Sequence, residues 1–358
     1  MAGLLLLGVL VRRGRSGHHE CACDSAEVVG ALGAVVARRY RVPSSKELSR
    51  QLVLIKIPET GSSTAALLLS EIAAKRGIPC WQHGGDLSFS AAIEKRPRSA
   101  PKWALAHRGW GPWVEEHFDR KARQVVTTTR APLRRLYSRA EKRLLRGEPV
   151  ECDKGTEVAL RFWASDRDAR KGLGLAKIAE SVVRKFEDVW VMERYNESLV
   201  AFALTHRLSL GAVLPPLAKY HGAREGSAAG HRGGNGTTHD TAGGVKKNSY
   251  YAKAKTTCDR DKVEETRAFV LEAKVHEAAV SALDARLAKL EAAGVPVAQL
   301  VALFARHLHV AMTLGATNRD NSAHYGDARQ STTTLLMSDC ARGCAAASLD
   351  ANAVLDYD

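Results

Sequence analysis

The turn Glu59-Thr60-Gly61-Ser62-Ser63-Thr64 is built from small and hydroxylated residues. It joins an apolar, β-branched run at Gln51–Ile57, carrying Lys56 near its end, to a helical pattern over Ala65–Lys75. Strand, small-residue turn and helix together aim free backbone N–H groups and a helix dipole at an anion. The Gly-Lys-Ser/Thr ending of a Walker loop is absent, and an ordinary βα turn is the competing reading. A second run, Val125–Thr129, leads into Arg130-Ala131-Pro132-Leu133-Arg134-Arg135-Leu136-Tyr137-Ser138. A guanidinium fork there can grip a phosphate, and a helical hydroxyl can add a hydrogen bond. Pro132 suits a first helical turn; a basic amphipathic surface helix is the plainer alternative. Acids follow a third apolar run, Val189–Met192, as Glu193-Arg194-Tyr195-Asn196-Glu197-Ser198-Leu199.

The first turn resembles the 5'-phosphosulfate loop of sulfotransferases, which move sulfate from the donor PAPS (3'-phosphoadenosine 5'-phosphosulfate) to a hydroxyl. Arg-x-Pro-x-x-Arg-x-x-Ser is similar to that family's 3'-phosphate motif, and Glu193–Leu199 resembles a Glu-x-Phe-x-Glu-Ser-Leu segment of galactose 3-O-sulfotransferases. A late helical stretch, Lys262–Gly294, is similar in pattern, so the likeness spans roughly residues 50–295 with gaps. The resemblance implies a transferase that sulfates a carbohydrate hydroxyl, preferably galactose of a glycolipid or glycan. It implies that Lys56, Thr60, Gly61, Ser62, Ser63 and Thr64 hold the 5'-phosphosulfate, and that Arg130 and Ser138 hold the 3'-phosphate. His107, after the short apolar run Trp103–Ala106, takes the place of a catalytic base, because the acceptor oxygen must lose its proton as it attacks. Glu193 and Glu197 are alternative bases, or else helix-terminus charges or sugar acceptors. Glu59 departs from the family, which carries Lys there; Lys56 is the candidate to compensate. That departure keeps open a catalytically weak PAPS- or glycan-binding relative, and a different P-loop-like phosphate-binding enzyme is the third reading.

The elements that must position these residues predict an α/β fold, a parallel sheet flanked by helices, of the P-loop-like type that the resemblance implies. Strands are expected at Val53, Trp103, Val125 and Val189, with a turn at Pro79–Gly85. Helices are expected over Val28–Tyr40, Val114–Arg123, Thr156–Ala169, Leu173–Phe186, Leu199–Leu210, Asp261–Ala292 and Val295–Leu314. The organisation reads as an N-terminal segment 1–45, a catalytic domain 46–316 with a flexible Gly/Ser/Thr-rich loop at 222–247, and a loosely ordered tail 317–358.

With 358 residues and 45% apolar composition, the chain can bury one sizeable core. Its net charge of +14 suits anionic lipid, acidic polysaccharide or a highly anionic donor. Aromatics at 6%, with no zinc-finger or RNP pattern, argue against a nucleic-acid partner. Ala2–Val11 is too short to span a bilayer, and its arginines follow the apolar run. Related Golgi enzymes carry a signal anchor here, so the expectation is a clipped anchor, membrane association through the N-terminus and a place in the Golgi or secretory pathway. Seven dispersed cysteines give no unique pairing, although one or two disulfides are expected in a luminal domain. Cys340 and Cys344 lack partners for a zinc pattern, so no metal is expected. Of the sequons at Asn196 and Asn235, only Asn235 is expected to carry a glycan.

Overall fold

The computed structural model describes residue 23 and residues 36–43, 45–83, 93, 95–107, 109–145, 147–152, 162, 175–215, 252–317 and 341–357. The expected apolar run at Ala2–Val11, the helix at Thr156–Ala169 apart from Phe162, the loop at 222–247 and the Asn235 sequon lie outside these residues.

The centre of the molecule is the strand Gln51–Ile55, every residue of which is buried. A strand covered on both faces needs apolar side chains at consecutive positions, which is why it reads as an unbroken apolar run. We label the strands β1 (Arg38–Val42), β2 (Gln51–Ile55), β3 (Cys80–His83), β4 (Lys102–Ala106), β5 (Arg123–Thr129), β6 (Asp188–Val191) and β7 (Ala353–Tyr357). Five form one sheet in the order β3-β4-β2-β5-β6, with each neighbouring pair parallel. Val53 sits opposite Ala104 on one side and Val125 on the other.

Side chains alternate across the sheet, so β2 feeds two cores at once. Leu52 and Leu54, with Trp103, Leu105 and Val126, face α1 (Ser62–Lys75), α5 (Tyr195–Thr205) and α8 (Val297–Thr317). Val53 and Ile55, with Ala104, Ala106 and Val125, face α2 (Pro112–His117) and α4 (Leu175–Arg184). Helix α7 (Arg267–Ala292) packs along the edge strand β6 and serves both cores. Leu271 and Val275 enter one; Ala279, Leu283, Leu287 and Leu290 enter the other. The architecture is therefore α/β, a parallel sheet flanked by helices.

Helix α3 (Pro132–Leu145) uses Leu136 and Ala140 to build a third, smaller cluster with Ala254, Cys258, Val263 and Phe269. A Cys152–Cys258 disulfide closes that cluster, and a second disulfide joins Cys23 to Cys344. α3 is tied to α7 by Arg135 and Glu272, whose side chains are fully buried and doubly bonded, one contact being Nη2 to Oε2 at 2.7 Å.

Several expectations need correction. Cys80–His83 is a strand rather than a turn. It is a four-residue edge strand with one neighbour and no β-branched residue. The C-terminal part of the expected Val28–Tyr40 helix is strand β1, because it pairs in parallel with β7. The late helix is broken at Glu265, giving α6 (Arg260–Glu264) and α7; Thr266 starts the second piece by accepting the Phe269 N–H at 3.2 Å. Residues 341–357, expected to be loosely ordered, form a helix over 341–352 and then β7. Ala345 and Leu349 are buried in the main core. The Tyr357 hydroxyl donates to the Leu208 carbonyl at 2.5 Å.

The amino edge of the sheet holds a buried polar knot. The Asp188 carboxylate accepts from Gln124 Nε2 at 2.7 Å and His206 Nε2 at 2.8 Å, and is paired with Arg286. Burial would raise the Asp188 pKa, but Arg286 and His206 outweigh it and hold the carboxyl below its ordinary value. A depressed carboxylate stabilises the fold above its unfolded pKa, about 3.9, and that stability is lost as pH falls toward the folded pKa. Asp188→Asn should therefore lower the melting temperature at pH 7, with the gap to the wild type narrowing below about pH 4. A gap independent of pH in thermal melts would show that the knot carries no linked charge.

Candidate functional site

The turn after β2 lies at the carboxyl edge of the sheet. The Lys56 N–H still donates to the Ala106 carbonyl at 2.8 Å, carrying the ladder one residue past β2. The chain then folds back on Ile57, whose carbonyl accepts from Thr60 Oγ1 at 2.9 Å and Ser62 Oγ at 2.7 Å. Thr60 Oγ1 also meets Thr128 Oγ1 of β5 at 2.5 Å, locking the turn to the neighbouring strand. Glu59 (φ 66°) and Gly61 (φ 71°) are both left-handed. Gly61 is needed twice over, since a Cβ there would lie 2.3 Å from Met192 Sδ. Glu59 accepts a conformation that costs a non-glycine residue about 1–3 kcal/mol.

Helix α1 begins at Ser62, three residues earlier than its sequence pattern, and has no side-chain cap at its N-terminus. Its first-turn N–H groups and dipole therefore face the carboxyl edge. The chain leaves β2 toward β3, on one side of the sheet, and leaves β5 toward β6, on the other. Neighbouring parallel strands whose connections diverge open a crevice between their carboxyl ends, the usual ligand position in such sheets.

Arg130, directly after β5, stands at that carboxyl edge with Nη1 3.5 Å from the Glu59 carbonyl. Ser138 lies one turn before Lys142 on α3, and residues four apart share a helix face. Lys142 is ion-paired with the Glu59 carboxylate, so the Ser138 face is the one turned to the loop. Among the described residues, neither Ser63 nor Ser138 has a side-chain hydrogen bond, whereas the Thr60 and Ser62 hydroxyls are spent inside the turn. Lys56 is buried at the start of the turn. The exposed His107, at the end of β4, holds its Nδ1 3.2 Å from the Lys56 carbonyl. Donation from Nδ1–H to that oxygen leaves Nε2 as the basic nitrogen.

Glu193 has a defined structural task. Its Oε1 accepts the Ala131 N–H at 3.1 Å, a favourable carboxylate at the entry of α3, and its Oε2 lies 3.9 Å from His276 Nε2. Glu197 is held by Arg194, which also binds Asp284 of α7, so it braces the start of α5. Ser198 accepts the Val191 N–H at 3.0 Å and donates to the Arg194 carbonyl, which places the Asn196 sequon in the first turn of α5 with a buried hydroxyl partner.

No protein-family model matches the chain, and no curated protein matches it in sequence.

The carboxyl edge itself brings together an uncapped helix N-terminus, a guanidinium, two uncommitted hydroxyls and an oriented imidazole across three adjacent strands. Such a set can hold a doubly anionic ligand and take a proton from a neighbouring hydroxyl. One residue escaped the sequence reading: His276 of α7, whose Nδ1 is 3.3 Å from Thr129 Oγ1. Burial lowers its pKa, with Glu193 acting against the shift. Its signal was available, because Glu272 and His276 are polar residues four apart beside the apolar stripe Val275-Ala279-Leu283.

Proposed function

We propose that the protein is a PAPS-dependent sulfotransferase acting on a carbohydrate hydroxyl, with galactose of a glycolipid or glycan as the preferred acceptor. The observation that carries this reading is the contact between Arg130, directly after β5, and the Glu59 carbonyl in the turn that opens α1, at the carboxyl ends of two adjacent parallel strands. The P-loop-like sulfotransferase fold belongs to the same proposal, supported by a parallel sheet with β2 at its centre and the anion-facing turn directly after it.

The residues present fit a donor with two anionic ends. The N–H groups at the start of α1, with Ser63 and Thr64, would receive the 5'-phosphosulfate; Arg130 and Ser138 would receive the 3'-phosphate. When bound, PAPS supplies a sulfuryl group whose bond to the 5'-phosphate oxygen breaks as the acceptor oxygen bonds to sulfur. His107 accepts the acceptor's hydroxyl proton on Nε2. The N–H groups and dipole at the start of α1 would favour negative charge on the phosphate held there. The two disulfides among the described residues are consistent with an oxidising compartment, so the Golgi or secretory pathway, with attachment through the N-terminus, belongs to the same proposal. No single described helix is long and apolar enough to cross a membrane.

A second reading, a PAPS- or glycan-binding relative with weak or no turnover, is favoured by one observation: the Glu59 carboxylate stands where the family carries a cation. Arg130→Ala tests the donor site common to both readings. Losing a charge-assisted fork in a partly enclosed crevice costs roughly 2–5 kcal/mol. Binding of the desulfated product PAP should weaken by more than about tenfold, with the melting temperature unchanged. Unchanged PAP affinity by calorimetry would remove Arg130 from the site.

A further inference from the structure

Glu59 raises a question that its motif does not answer. It adopts a left-handed backbone that glycine would take freely, and its side chain is only 13% exposed although it sits on a surface turn. What holds it is α3. Lys142 pairs with the carboxylate, and Arg130 reaches the backbone carbonyl of the same residue. Arg139 is three residues before Lys142 and on the neighbouring side of the helix. Among the described residues it forms no ion pair, and burial together with Arg135 lowers its pKa, with Glu59 opposing that shift. Lys142 thus holds the Glu59 carboxylate and Arg130 its backbone carbonyl, while Arg139 stands near enough on the same helix to feel the carboxylate's charge. A partly buried cation such as Arg139, beside other cations, is costly unless something negative is brought to it.

We infer that Arg139 and Lys142, together with Arg130, form a seat for a phosphate or sulfate oxyanion, and that Glu59 fills this seat as an internal substitute which the ligand must displace. The inference rests on the donor reading for the identity of the ligand, not for the seat. A carboxylate and a phosphate oxyanion make the same charge-assisted contacts to ammonium and guanidinium groups. The turn can release Glu59 by rotating its side chain, since Thr60, Gly61 and Ser62 are anchored independently to Ile57, Thr128 and α1. A seat filled from within reduces the apparent affinity of its ligand by the fraction of molecules in which it is closed. The wrong-sign residue of the loop then becomes a gate on donor loading rather than a charge pressed against the donor.

The experiment measures PAP and inorganic sulfate binding by calorimetry to three full-length proteins: wild type, Glu59→Gln, and Glu59→Gln combined with Arg139→Ala and Lys142→Ala. Thermal melts confirm that each is folded. Glu59→Gln keeps the length and hydrogen bonding of the side chain, and should tighten PAP binding at least about tenfold. The added alanines should abolish that gain. A gain that survives the alanines would overturn the seat, because Glu59 would then act only by repulsion; no gain at all would overturn it directly. If PAP binds none of the proteins but sulfate binds Glu59→Gln and not the triple variant, the seat stands and the donor reading fails. If neither anion binds any of the three, both fall.

Discussion

Replacing His107 with alanine is expected to lower the rate of sulfate transfer about 10²–10⁴-fold, the range for a lost general base, while leaving PAP affinity nearly unchanged. The expectation follows from where the ring stands. Strand β4 ends at Ala106, beside β2, so His107 is presented at the carboxyl edge next to the anion-facing turn. Its Nδ1 is committed to the Lys56 carbonyl at 3.2 Å, which fixes the ring and leaves Nε2 to take a proton. No donor contact is assigned to it, so the loss should appear in kcat and not in product binding. Asparagine at this position would keep one hydrogen bond to Lys56 but supply no base, and should be as slow as alanine. A variant with near-full rate would move the base role to Glu193, and the hydrogen bond that Glu193 accepts from Ala131 would then have to be broken during turnover.

The second large effect is on stability. Glu272→Ala should destabilise the fold by about 3–5 kcal/mol, because it leaves the Arg135 guanidinium buried without its carboxylate. Both side chains are 0% exposed, so water cannot take over the lost contacts without opening the α3–α7 contact. Replacing the pair together, Arg135→Met with Glu272→Leu, removes both charges and should come close to wild-type stability or exceed it. The comparison matters for function, since this pair holds α3, and with it Arg130, Ser138 and Lys142, in place beside the turn. An unfolding free energy for Glu272→Ala, from denaturant titration, within about 1 kcal/mol of the wild type would mean that the pair is not closed in solution.

Much of the scaffold was legible because the strands of a buried parallel sheet read as apolar runs. Val53, Trp103, Val125 and Val189 each mark one, and three of them lead directly into the residues of the candidate site. The turn between β2 and α1 was legible for a related reason: only small and hydroxylated residues fit a tight strand-to-helix reversal, and Gly61 against Met192 shows how little room there is. What was illegible depended on partners distant in sequence. β1 and β7 are short, and each gains its strand geometry from the other across more than three hundred residues. β3, with Trp81 and His83 in four residues, has no strand signature and is defined by pairing to β4. Local reading likewise gave Glu59 a sign but no direction; the ion pair with Lys142 is a product of how α3 packs. His276 shows in the sequence only as a polar residue four after Glu272 beside an apolar stripe, and its significance appears when Thr129 and Glu193 stand next to it.

The central claim is that the crevice between β2 and β5 binds a nucleotide carrying phosphate at both its 3' and 5' positions. Calorimetric titration of the full-length protein with PAP, and in parallel with ATP and AMP, tests it most directly. PAP should bind at least about tenfold more tightly than either, since the 3'-phosphate adds a charge-assisted contact to Arg130 that they lack. ATP binding as well as or better than PAP, or no binding of PAP at millimolar concentration, would contradict the account.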